Sequence, residues 1–398
     1  MTDVSRRVAL AGGVAAAGGL AMPEAARAAA AWPGPDATPQ DWPQPMGYAD
    51  HRSWERGETS LTPSTVERMR LLWSTPVNWM GREPIAVGSS IYAHTPVLTR
   101  LDAATGTVVW QKNYAAGTTP AYAHGIVVTA QDDNRKIRAA NAATGAQLWA
   151  SWLPAGATCD PTIVGSEVYV SHENTLHVYD LMTGRHRWQW TDPRTGPDIG
   201  TRPNSTATVF GSRVFLTRAC NALVAALDRT SHVPIWQRQI SDRLYGARNF
   251  VTPVADEIGS LYVAGADAGP GVIRALDQGT GALRWAAETP AQVSQIALSG
   301  ETLVVNGETG LAGFDRRTGR RLWFRAVPIG NGLVTGGGVE YAQDSQRGEL
   351  VACEVATGRR LTRVRGIYGQ PLALARGRLI LRTSESGHDC LAAFGLGA

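Results

Sequence analysis

Lysine is almost missing from this 398-residue chain: Lys112 and Lys136 are the only two, and arginine carries nearly all of the positive charge. Charged residues of both signs make up 18% and leave a formal net charge of +4, far from the composition of a disordered polyelectrolyte. No run of basic residues interleaved with aromatics appears, so the footprint of a nucleic-acid partner is not supported. Cysteine is scarce as well. Cys159, Cys220, Cys353 and Cys390 form no C-x-x-C, no C-x-x-C-H and no Cys/His ligand spacing, which argues against structural zinc and c-type haem. Long apolar runs are also lacking. The longest, Val8 to Met22, has 15 residues, short of the roughly 20 that span a bilayer.

That run has another reading. Ser5-Arg6-Arg7 precedes it and the small residues Ala25 to Ala31 follow it. Paired arginines, a short apolar region and an A-x-A-like end describe an export signal of the twin-arginine type, although Ala9 stands where such signals usually carry Phe. Residues 1–31 are therefore expected to be a signal peptide. A secreted, periplasmic or cell-envelope location follows, with a monomer and no transmembrane span.

What the chain does have is tryptophan, 13 of them, and six follow one motif. Leu101-Asp-Ala-Ala-Thr-Gly106 leads to Trp110. Asn141 to Gly145 leads to Trp149, Asp180 to Gly184 to Trp188, Asp277 to Gly281 to Trp285, and Asp315 to Gly319 to Trp323. Two copies are degenerate: Asp228-Arg-Thr-Ser-His232 before Trp236, and Glu354-Val-Ala-Thr-Gly358 before Thr362. Short β-branched or aromatic runs bounded by Gly, Ser or Asn fill the intervals. Trp73 has no turn before it, and Leu391 to Phe394 has no Trp strand after it. Together they make one more unit, so the count is eight. Four strands in roughly 40 residues, repeated eight times, predict an all-β, eight-bladed β-propeller over residues 68–398, closed by the N-terminal strand. Residues 32–67 read as a lead-in with a short helix, for which Ser64 and Glu67 have capping-box spacing.

Each part of the motif has a physical task. Asp hydrogen-bonds amides of the turn, Gly supplies a positive φ, and Trp buries a large ring between blades while its N–H seeks a partner.

These repeats, with Asp41-Trp42-Pro43 and Leu61-Thr62-Pro63-Ser64 ahead of them, resemble the pyrroloquinoline-quinone-like (PQQ-like) repeat propellers. That family includes quinoprotein alcohol dehydrogenases and the propeller lipoprotein of the outer-membrane β-barrel assembly machinery. The resemblance implies the fold, and for some members a bound quinone and Ca²⁺.

Antiparallel strands, lettered a to d from the channel outward, place the d-to-a and b-to-c loops on one face and the Thr-Gly turns on the other. Extra length falls in Thr191 to Pro203, Ile240 to Asn249 and Gly265 to Gly271, all on the face away from the turns. Long loops gathered on one face of a repeat scaffold point to function. On that face one or two polar residues open each inner strand: Arg82 and Glu83, Thr119, Asp160, Arg202 and Asn204, Arg248 and Asn249, Asn331, and Gln370. They are expected to ring the channel mouth. Arginines there can hold carboxylates bidentately, whereas Glu83, Asp160, Asn204 and Asn249 are candidate ligands for Ca²⁺.

Three functions fit this pattern. The first is a binding module for a protein, peptide, envelope component or small molecule. The second is a PQQ- and Ca²⁺-dependent dehydrogenase of small alcohols or sugars, with Asp160 as base. The third is a non-redox lyase or cyclase using the same mouth. Cys159 and Cys220 fall on one face and are the favoured disulfide pair, and Cys353 is expected to be a buried thiol. His94, His124, His172, His177 and His186 read as surface residues. The arginines at 316, 317, 320, 321, 359, 360, 363 and 365 read as solvated turn charge rather than a basic patch.

Overall fold

The motif folds as its chemistry requires. In the computed structural model, Asp102 Oδ1 accepts the amides of Ala104 (3.0 Å) and Thr105 (2.9 Å) and the Thr105 hydroxyl (3.0 Å). The same three-bond turn recurs at Asn141, Asp180, Asp228, Asp277 and Asp315. The structure describes residues 32–77, 82–95, 97–115, 117–131, 135–154, 158–192, 205–218, 223–240, 251–265, 271–289, 293–307, 309–326, 329–365, 370–385 and 387–397.

Eight antiparallel sheets result, each built from four strands of the ring. Blade one runs Ile85–Val87, Ser90–His94, Val97–Asp102 and Val108–Ala115 from the channel outward. Blades two to seven repeat this order. Blade eight takes Gln370–Ala375, Arg378–Glu385 and His388–Gly395 from the C-terminal end, and its outer strand is Arg70–Pro76. Trp73 pairs with Ala393 and Leu71 with Phe394, so the two orphan fragments of the sequence do close the ring.

The repeated tryptophans lock neighbouring blades. Trp149 Nε1 donates to Leu181 O at 2.7 Å, Trp236 to Gln278 O at 2.9 Å and Trp323 to Val355 O at 2.9 Å. In each case the acceptor sits in the turn of the next blade. The turn glycine has a second duty there. Gly281 has φ +70°, and a Cβ added to it would stand 2.6 Å from the Trp236 ring. Glycine is needed both for the backbone conformation and for the ring lying on it. Blade four breaks the rule: His232 takes the glycine position at φ 63°. Its imidazole stacks on Trp188 at 4.3 Å and 14°, and Trp188 Nε1 is buried without a hydrogen-bond partner among the described residues.

Blade seven lacks its Trp, yet the gap is filled. A 3-10 turn, Val66–Arg68, lies against its outer strand, where buried Val66 and Met69 join Leu361 and Val364 in one cluster. The expected capping box does not form. Thr65 is the N-cap and makes no capping bond, and its hydroxyl instead accepts the Thr62 amide at 2.9 Å.

The lead-in does something the repeat pattern does not announce. Each inner strand leaves an unpaired edge toward the channel, and buried edge amides need acceptors. Residues 40–58 provide them. Arg376 N–H donates to Gln40 O (3.0 Å), Ala86 to Trp42 O (2.9 Å), Tyr122 to Pro43 O (2.8 Å), Val209 to Ala49 O (2.7 Å) and Ala255 to Asp50 O (3.2 Å). Leu298 donates to Arg52 O and Thr335 to Ser53 O, both at 2.8 Å. In blade three the Gln44 amide substitutes for backbone, exchanging bonds with Ile163 at 2.8 and 2.9 Å. The segment thus makes one circuit inside the ring, touching every blade. It ends as a short strand, Trp54–Glu55, parallel to the inner strand of blade seven. Its contacts fall at the a-to-b ends of the inner strands, which is the face of the Thr-Gly turns.

Candidate functional site

Opposite that circuit lies the other mouth of the channel. Of the sequence candidates, the structure brings Arg82, Glu83, Thr119 and Asp160 together from blades one to three. The Thr119 amide donates to Asp160 Oδ1 at 2.7 Å. Arg82 is exposed, and its Nε donates to Gly117 O at 3.2 Å. Burial pushes the Glu83 carboxyl up to about 7; the nearby Asp160 charge adds to the rise and Arg82 opposes it. Gln370 opens the inner strand of blade eight, and Asn331 lies within that of blade seven, Ile329–Gly336. Arg202, Asn204, Arg248 and Asn249 lie outside the described residues, as does Cys220, the proposed partner of Cys159. Cys353 is fully buried, as expected.

His94 belongs to this cluster and is not a surface residue. It is fully buried, and its Nδ1 accepts the Gly117 amide at 3.3 Å, so the neutral ring carries its proton on Nε2. That nitrogen is buried without a partner among the described residues. Desolvation lowers the imidazole to about 4, with the Arg82 charge acting in the same direction. A signal for this position existed. His94, Gln131, His172, Arg218 and Asp344 each end the second strand of a blade on the loop face, and all are buried. In blade one that residue holds the d-to-a crossover at Gly117.

Two other expectations need correction. His172 and His177 are also buried, at 3% and 6% exposure; their rings lie edge-on to each other at 6.1 Å, and His177 also meets Tyr179 and His186. Arg316 is not solvated turn charge either. It is 5% exposed and reaches Glu257 at 2.5 Å, Glu301, and Asp256 at 3.8 Å. Glu257 in turn holds Arg52 of the lead-in at 2.7 Å. Arg317, Arg359, Arg363 and Arg365 all have carboxylate partners.

A pocket of about 350 Å³ opens on the turn face, between the lead-in and blades one and two. Its polar groups already have partners. Arg376 binds Asp41 at 2.7 Å, Arg100 donates to Ser90 and Ala143, and the phenols of Tyr92 and Tyr122 bond the Ala142 and Pro35 carbonyls. The loop-face cluster, with its unpartnered His94 nitrogen and its raised carboxyl, is the stronger candidate.

The family model described as outer membrane protein assembly factor BamB matches residues 93–325 and again 221–365. The chain belongs to this family of PQQ-like repeat propellers. No curated protein matches it significantly. Among solved structures, BamB from Moraxella catarrhalis is 18% identical with a TM-score of 0.64, covering 82% of this chain and 97% of its own. The quinohemoprotein alcohol dehydrogenase ADHIIG from Pseudomonas putida HK5 is 13% identical with a TM-score of 0.70, covering 90% and 81%. That from Comamonas testosteroni is 14% identical with a TM-score of 0.69 and the same coverage. At these identities the likeness is one of fold. The fold is compatible with a binding module and with a dehydrogenase, and specifies neither.

A quinone with Ca²⁺ would need several cations for its carboxylates and several oxygens for the ion. The described cluster offers one arginine, tied to Gly117 O, beside two mutually repelling carboxyls. No three metal-binding side chains converge among the described residues. The described part of the mouth does not fit that pair of ligands.

Proposed function

We propose that this protein is an exported binding propeller that takes a protein, peptide or envelope component on its loop-rich face. The observation that carries this reading is the asymmetry of the channel. The lead-in lines one end and satisfies inner-strand edges from all eight blades, so the opposite mouth is the one left to a partner. The Arg82–Glu83–Asp160 cluster is on that side, and the long insertions read from the sequence are expected there. BamB, a propeller of the same family, is an outer membrane protein assembly factor by name, which supports an envelope setting. The export signal proposed for residues 1–31 fits it, and replacing Arg6-Arg7 by Lys-Lys tests the route: trapped precursor supports the twin-arginine pathway.

The dehydrogenase alternative rests on Arg202, Arg248, Asn204 and Asn249 completing a site with Glu83 and Asp160. One experiment separates the readings. A photo-crosslinking amino acid at Arg82 should give adducts with an envelope component in cells, whereas one at Arg317, on the turn face, should not. Adducts only from Arg317, or dye-linked alcohol oxidation on adding quinone and Ca²⁺ to the purified chain, overturns the binding reading.

A further inference from the structure

Blade three carries a pair of side chains that the binding function does not use. His177 is on its third strand, Thr175–Asp180, and His186 opens its outer strand, His186–Thr191. The register pairs Tyr179 with His186 and His177 with Gln189. The two imidazoles are therefore diagonal neighbours on one face. Their nearest nitrogens, His177 Nδ1 and His186 Nε2, are 3.5 Å apart, with ring centroids at 5.6 Å.

The equivalent positions in blade two hold Arg138 and Gln147, which make an ordinary hydrogen bond of 2.8 Å. The histidine pair makes only a long contact, and His177 Nε2 is buried without a partner among the described residues. Two facing ring nitrogens have a better use. A metal bound at 2.0–2.1 Å by each of two imidazoles in tetrahedral geometry holds those nitrogens about 3.3 Å apart, within a few tenths of an ångström of the observed spacing.

We propose that His177 Nδ1 and His186 Nε2 chelate one borderline divalent cation, of the Zn²⁺, Ni²⁺ or Cu²⁺ class. Imidazole nitrogen selects those ions over Mg²⁺ or Ca²⁺, which want oxygen. No third donor converges on the pair among the described residues, so water completes the shell. His186 is exposed and offers entry from solvent, while Tyr179 stands edge-on at 5.3 Å and bounds the site on one side. The ion ties the third strand to the outer strand at the seam with blade two, whose Trp152 carbonyl accepts from Tyr179 at 3.4 Å.

Titrating the tag-free full chain with Zn²⁺, and separately with Ni²⁺, in a calorimeter should show one equivalent with micromolar affinity. His186→Gln should weaken that equivalent at least tenfold at an unchanged melting temperature, because the residue is exposed on an outer strand. His177→Gln should do the same, and His124→Gln should have no effect. Absence of a saturable equivalent in the wild-type chain, or its survival in His186→Gln, overturns the proposal.

Discussion

The two faces of this propeller are built on opposite principles. On the turn face the same three-bond Asp or Asn turn recurs around the ring, each turn glycine lies under a tryptophan of the preceding blade, and the lead-in closes the accounts of the inner edges. On the loop face each described blade differs from the next, and a buried imidazole, His94, keeps a ring nitrogen without a partner among the described residues. Regularity serves closure; irregularity is where we propose that recognition lies. A ring scaffold allows this division because each blade depends on its neighbours through the seams and not through the loop ends.

The comparison can be broken most severely at the closure. His388–Gly395 is the third strand of blade eight, held between Arg378–Glu385 and Arg70–Pro76. Removing residues 389–398 takes away both neighbours' partner and leaves the N-terminal strand unattached. The expected result is loss of the cooperative melt by circular dichroism. A truncated chain that melts within a few degrees of the full one would mean the ring does not depend on its closure.

Next in size is the seam. Trp149→Ala removes a buried ring and a 2.7 Å bond, and a cost of about 3–5 kcal/mol is expected from denaturant unfolding. Trp188→Ala should cost less by about 1 kcal/mol, the usual worth of one neutral hydrogen bond, since its N–H has no partner among the described residues. Equal costs would show that the indole bond adds nothing to the seam.

How much of this was legible in sequence follows the same division. Repetition made the turn face readable: seven copies of one motif and one split unit fixed the blade count, the closing strand at Trp73 and the Trp–turn contacts. The circuit of residues 40–58 was not readable, because in seven of the eight blades the inner-strand amide is met by a backbone carbonyl, which carries no residue-type signal; in blade three the Gln44 side chain takes that place. At the loop face, position in the repeat placed Glu83, Thr119 and Asp160 near one another. His94 was missed because a single histidine at a strand end carries no pattern that marks it as buried. The arginine at 316 was misjudged for a related reason. Its partners Glu257 and Glu301 come from two blades, and no local pattern joins them.

Acid should act through the imidazoles that are buried neutral. Desolvation lowers His51, in the lead-in circuit, to about 3 and His94 to about 4. Between those values and the unfolded value near 6.5, the unfolded chain binds more protons than the native one, so stability is full above about 6.5 and is lost as pH falls through that window. Thermal melts from pH 7 to pH 4 should show a falling midpoint. His51→Gln should shallow that slope, since glutamine can keep a bond to Thr208, which the imidazole contacts at 2.9 Å, without a titrating group. An unchanged slope would place the acid sensitivity elsewhere.

The smallest expected effect is at the mouth itself, and it has the opposite sign. The Glu83 carboxyl is raised from 4.5 to about 7 by burial first and by the Asp160 charge second. Between those two values the native state holds a proton that the unfolded chain has released, so Glu83 contributes stability that falls as pH rises from about 4.5 to 7 and is gone above. Glu83→Gln mimics the protonated form at every pH. The variant should match the wild type near pH 4.5 and melt a few degrees higher at pH 8, where the wild type carries a buried charge beside Asp160. Adduct formation from a crosslinker at Arg82 should drop in the same variant if the mouth recognises its partner through that charge. A variant less stable than wild type at pH 8 would mean that Glu83 is ionised and paired in the native state, and the mouth would then be a structural ion-pair site rather than one held ready for a ligand.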